Sequence, residues 1–92
     1  MEYVVYILYS KKSNRTYVGV TSHLIQRFYS HNIFGKDSTA NYRPWVLVHV
    51  EFYSDKSAAL AREKYYKQGS GSRKKQKIIE EYTARWAHTL PS

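Results

Sequence analysis

Cysteine is absent from this 92-residue chain, which excludes disulfide staples and thiolate zinc sites and leaves oxygen or imidazole as the only ligands for any metal. Long apolar runs are absent as well. None nears the ~20 residues of a membrane-spanning helix, and the opening MEYVVYIL has no basic stretch ahead of its apolar residues, so neither a signal peptide nor a membrane partner is expected. A soluble, cytoplasmic protein is the expectation. Acids are scarce, with 7 Asp and Glu against 15 Lys and Arg and a formal net charge of +8. A surplus of that size favours a polyanionic partner, nucleic acid before an acidic membrane surface.

Tyrosine is plentiful. The chain has 10, with 2 tryptophans; most are expected in the core, although aromatics set among bases can also stack on exposed nucleobases. The length suits one domain, residues 1–92, able to bury about 60% of its unfolded surface. Internal repeats and low-complexity segments are missing.

Residues 3–9 (YVVYILY) and 15–21 (RTYVGVT) are rich in β-branched and aromatic residues around a polar SKKSN, the composition of a β-hairpin. Residues 23–32 change to helical period, with Leu24, Ile25 and Phe28 on one stripe and Thr21 or Ser22 as N-cap. A loop is expected over 33–44. The run WVLVHVEFY that follows has the apolar content of a central strand. Asp55 is placed to cap a helix over 56–68 that stops at Gly69, and Ser72 to cap a third in which Ile78, Ile79, Tyr82 and Trp86 share a stripe. The order ββαβαα predicts an α+β fold, a small three-stranded antiparallel sheet flanked by helices.

Side chains alternate along strands, so the hairpin loop decides which residues face each other. A two-residue loop sets Tyr6 opposite Tyr17 and a four-residue loop sets Tyr6 opposite Gly19; both leave the tyrosines on one face, whereas a five-residue loop separates them. Gly19 beside Tyr17 fits a backbone approached closely by a neighbour, or a bulge. Arg27 and His31 are one helical turn apart, beside the Leu24/Phe28 stripe, and are expected at the helix–sheet margin.

Seven bases (Arg62, Lys64, Lys67, Arg73, Lys74, Lys75, Lys77) lie between residues 62 and 77, with Glu63 the lone acid among them. Such a carboxylate is ionised and ready for a cation, or pairs with Lys67 at i,i+4. A cap at Ser72 would place Arg73, Lys74 and Lys75 in a first helical turn, where the helix dipole disfavours cations by ~0.3–1 kcal/mol each. Phosphate contact would account for them.

With VYI at 5–7, YVG at 17–19, and Arg27 and His31 after them, the sequence resembles the GIY-YIG nuclease superfamily. It is most similar to small single-domain bacterial members, which carry RPW before a strand and REK on a helix, as Arg43-Pro44-Trp45 and Arg62-Glu63-Lys64 do here. The resemblance spans about residues 2–80 and leaves 81–92 as a helix end and tail. It implies a metal-dependent endonuclease cutting phosphodiesters in DNA, with branched or damaged DNA as candidate substrates and repair or recombination as the setting. A catalytically inactive nucleic-acid-binding module on the same scaffold is the alternative.

In the roles the resemblance implies, Tyr6 and Tyr17 line the site and orient the attacking water, Arg27 holds the scissile phosphate, and His31 assists proton transfer. Glu63 is the single protein ligand of one divalent ion, Mg²⁺ by preference and Mn²⁺ as the alternative. Gly19 is the structural glycine of the motif. Arg43, Lys67, Arg73, Lys74 and Lys75 are the candidates for nucleic-acid contact. Val20 stands where some relatives carry lysine, and a late asparagine of the family has no counterpart, leaving Lys67 or Arg73 as its replacement. A protein partner supplying specificity is compatible with so small a module, and no oligomeric state is implied.

Overall fold

The computed structural model describes residues 2–29, 31–32, 38–86 and 88. Strands β1 (Tyr3–Ser10) and β2 (Arg15–Thr21) form the hairpin, followed by helix α1 (Leu24–Tyr29), a 3₁₀ turn (Ser38–Tyr42), strand β3 (Val46–Tyr53) and helices α2 (Lys56–Tyr66) and α3 (Gly69–Trp86). This is the expected α+β order ββαβαα, with an antiparallel three-stranded sheet.

The strand order is β2-β1-β3, so β3 lies at an edge and β1 in the centre. The expectation of a central β3 is therefore corrected. Val4 to Leu8 of β1 are all buried, as a strand covered on both faces requires, whereas β3 is half-buried along most of its length and alternates in polar His49 and Glu51. A shift in β1–β3 pairing between Ile7 and Leu8 bends that edge.

Each sheet face carries its own core cluster. Val5, Ile7 and Val18 pack with Ala59 and Tyr66 of α2 and Ile79 of α3. On the opposite face Tyr6, Leu8 and Trp45 pack with Tyr17 of β2 and Leu24 and Phe28 of α1. Ile25, assigned to the same stripe, instead points outward and is 75% exposed. At the far end of the chain Trp86 also faces solvent, while Ile79 is buried and Ile78 and Tyr82 are half-buried.

Asp55 caps α2 as expected, its carboxylate accepting from the Ser57 N–H at 3.3 Å. Helix α3, however, begins at Gly69, whose φ of 57° only glycine adopts without strain, and not after Ser72. Arg73, Lys74 and Lys75 therefore lie beyond the first turn, and the dipole argument for them does not apply. Gly71 lets α3 approach the Tyr65 carbonyl, which any side chain there would strike.

Candidate active site

The hairpin loop is the four residues Lys11 to Asn14, with Asn14 at φ 51° closing the turn. Tyr6 is therefore opposite Gly19, and both tyrosines face α1. A Cβ on residue 19 would lie 2.5 Å from Cζ and Oη of Tyr6 and 2.9 Å from the Tyr17 ring. Gly19 is there because the Tyr6 ring lies across its backbone. The two tyrosine rings stand 6.1 Å apart.

Helix α1 stops at Tyr29, short of the expected Asn32, and His31 and Asn32 follow in a wider, π-type turn. His31 points inward, 1% exposed and not at the margin. Its Nε2 shares a 3.1 Å hydrogen bond with Tyr6 Oη, and its Nδ1 one of 2.9 Å with Thr39 Oγ1. Tyr17 lies alongside, its ring 4.6 Å from the imidazole. Tyr6 itself is 2% exposed, so two of the five residues expected on an open surface form its buried floor. Burial, then Tyr17 beside it, raises the Tyr6 pKa well above the usual phenol value, and this hydroxyl keeps its proton.

Arg27 is exposed on α1 and borders two adjoining grooves. Glu63 approaches from α2, which packs on the other face of the sheet and reaches β2. Both charges nevertheless act on the Tyr6 hydroxyl, Arg27 lowering its pKa and Glu63 raising it. Glu63 also pairs with Lys67 at 3.4 Å, the helical i,i+4 pair open from the sequence. Tyr17 and His31 thus lie against the Tyr6 phenol, and the charges of Arg27 and Glu63 act on it from α1 and α2.

The sequence model of the GIY-YIG catalytic domain matches residues 2–77. The chain belongs to the GIY-YIG family. It is 40% identical over 81 residues to the UPF0213 protein SH2523 of Staphylococcus haemolyticus (strain JCSC1435), covering 87% of this chain and 96% of that one. The solution NMR structure of the UPF0213 protein BH0048 from Bacillus halodurans is similar at a TM-score of 0.56 and 27% identity, over 97% of this chain and 95% of that one.

In this GIY-YIG domain the candidate phosphate-binding residues divide. Arg43 is half-buried and its Nε donates to the His31 carbonyl at 2.6 Å, so it steadies the turn that carries His31. Lys67 sits beside Glu63. Burial, then the charge of Lys67, lowers the Lys75 pKa. Arg73 and Lys74 are exposed on α3 and border a groove with Lys77, Ile78 and Glu81.

Sequence reasoning passed over the supports. Asn32 clamps the start of β3, accepting from the Trp45 N–H at 2.7 Å and donating to its carbonyl at 3.1 Å. Thr39 holds His31 through its hydroxyl, while its carbonyl accepts from Trp45 Nε1 at 2.9 Å. The signal was Asn32 directly after His31, a short amide at the expected end of the helix. On the opposite face Glu51 receives hydrogen bonds from Tyr53 (2.7 Å), Arg62 (2.8 Å) and Tyr66. His49 lies 2.7 Å from the same carboxylate, and Arg62 is held between the rings of Tyr65 and Tyr66.

Proposed function

We propose that this GIY-YIG domain is a metal-dependent endonuclease that hydrolyses phosphodiester bonds in DNA, with branched or damaged DNA as its candidate substrates. The observation that carries the reading is the buried hydrogen-bonded chain from Tyr6 through His31 to Thr39 beside Tyr17, with the exposed Arg27 and the half-buried Glu63 close enough for their charges to act on the Tyr6 hydroxyl. A phosphodiester brings negative charge to such a place and needs it stabilised as the bond breaks. Arg27, permanently charged and able to donate two parallel hydrogen bonds, takes the scissile phosphate. Tyr17, the more open of the two phenols, orients the attacking water.

Tyr6 remains protonated and acts as a fixed donor. His31 is too deeply buried to meet substrate, and works through Tyr6, holding its hydroxyl in place while Thr39 holds the imidazole. Among the described residues no group of three His, Asp or Glu side chains could hold a metal. A lone carboxylate does fit a hard cation that keeps most of its waters, Mg²⁺ before Mn²⁺, and Glu63 would hold it. When bound, such an ion supplies charge stabilisation on the phosphoryl oxygens. Lys67 and Lys75 flank Glu63 as contacts for neighbouring phosphates.

This reading takes residues 1–92 as one catalytic module acting on cytoplasmic DNA; among the described residues no helix is long and apolar enough to cross a membrane. Incubation with duplex, flap and four-way DNA and either Mg²⁺ or Mn²⁺, beside Glu63→Ala, tests it. Cleavage by the native chain and none by the variant is expected. Salt-dependent DNA binding without cleavage of any substrate would replace the proposal by a catalytically inactive nucleic-acid-binding module.

A further inference from the structure

Arg27 stands where two grooves join. One is bordered by Thr21, His23 and Gln26, the other runs from His23 past Val20 to Lys56 and Leu60 on α2. Together they follow the outer side of β2, the strand that ends the sheet opposite β3. Among the described residues no carboxylate borders either groove, and Lys56 makes no ion pair. The nearest acid in sequence, Asp55, is engaged in capping α2.

Helical spacing relates this groove to the site. Lys56, Leu60, Glu63 and Lys67 fall at i, i+4, i+7 and i+11, one face of α2. Leu60 is 45% exposed, so the stripe is not a core face. At a rise of 1.5 Å per residue Lys56 lies about 10 Å along the axis from Glu63, a separation of about one to two phosphates along a B-form strand. The groove adds apolar Leu60 and Val20 and the Tyr3 ring between its cations, the mixture of charge and apolar surface that follows a sugar–phosphate backbone.

We propose that the groove between His23 and Lys56 holds the backbone of the cut strand on one side of the scissile phosphate, with Lys56 on a phosphate one to two nucleotides away. The proposal rests on the nuclease reading and adds a direction to it: Lys67 and Lys75 serve one side of the cut, Lys56 and His23 the other.

The test is DNA binding to the full chain by fluorescence anisotropy in EDTA, across a salt series, for the native chain, Lys56→Gln and Lys12→Gln, an exposed hairpin-turn lysine. Loss of one phosphate contact lowers the slope of log K against log salt by about 0.9 for duplex DNA. That fall, with roughly fivefold weaker binding at low salt, is expected for Lys56→Gln and not for Lys12→Gln. Duplexes with one neutral methylphosphonate at successive positions then locate the contact. A substitution one to two nucleotides from the cut should weaken native binding and leave Lys56→Gln indifferent. Equal slopes for native and Lys56→Gln, or one interference pattern for both, overturn the proposal while native cleavage keeps the nuclease reading. A native chain that binds no DNA overturns both.

Discussion

Arg62 and Glu63 are neighbours on α2, yet they serve different clusters. Arg62 turns to the Val5 face, where its guanidinium, three hydroxyls or imidazoles and two aromatic rings gather on Glu51. Glu63 pairs with Lys67 along α2, and its charge and that of Arg27 act on the Tyr6 phenol without meeting each other as an ion pair. In the first cluster the Arg62 guanidinium and the Glu51 carboxylate neutralise each other. Around the second, Arg27 is left toward solvent and Glu63 holds only a surface pair with Lys67, and that is the arrangement in which a charged substrate and a metal complete the set. The contrast teaches that the share of hydrogen bonds a cluster satisfies internally distinguishes a structural network from a candidate site when both use tyrosine, arginine and glutamate.

The largest expected effect is on stability, at Glu51. Its removal leaves Arg62 half-buried beside Tyr66 without its carboxylate, and Glu51→Ala should lower the free energy of unfolding by about 3 kcal/mol, read from the urea midpoint. A domain of this size has about 5–9 kcal/mol in all. A change below about 1 kcal/mol would erase the distinction between the faces.

Acid should expose the same network more gradually. Burial alone would raise the Glu51 pKa, but hydrogen bonds from Tyr66, Arg62, Tyr53 and His49 bring it down to about 2, from 4.5. A depressed carboxylate stabilises the fold fully above its unfolded pKa, and that stability is lost as pH falls from about 5 toward 2. Melting temperatures should drop across that window in the native chain. The drop should be shallower in Glu51→Gln, which has no carboxylate to protonate.

Gly19→Ala gives an intermediate effect on the other face. Its new methyl meets the Tyr6 ring, and overpacking of this kind costs about 1–3 kcal/mol. Tyr6 must shift from His31, so cleavage should fall by more than the loss of folded protein accounts for. Equal loss of the two would confine Gly19 to packing.

Much of the Tyr6 face was legible in the sequence because parity is local. Two strands joined by an even loop put Tyr6 and Tyr17 on one side whatever the exact turn, and helical spacing set Arg27 and Glu63 on identifiable helices. The burial of His31 was not legible. It depends on α1 ending early and on Thr39, eight residues on, rather than on any periodicity. Strand order was likewise hidden, since an apolar run such as Val46 to Val50 reads the same at an edge as at the centre. The Glu51 network escaped notice because polar His49 and Glu51, alternating with valine, match a solvent-facing pattern; only α2 and β3 together show Arg62 covering them.

The smallest stability change is expected where the largest functional one should occur. Arg27 is exposed and engages no carboxylate as an ion pair among the described residues, so Arg27→Ala should move the unfolding free energy by no more than about 0.5 kcal/mol. The most direct measurement takes both quantities from one preparation: the urea midpoint of Arg27→Ala and its rate of DNA cleavage with Mg²⁺. The account predicts a native midpoint with cleavage reduced by about 100-fold or more. A variant that cuts at the native rate would contradict it.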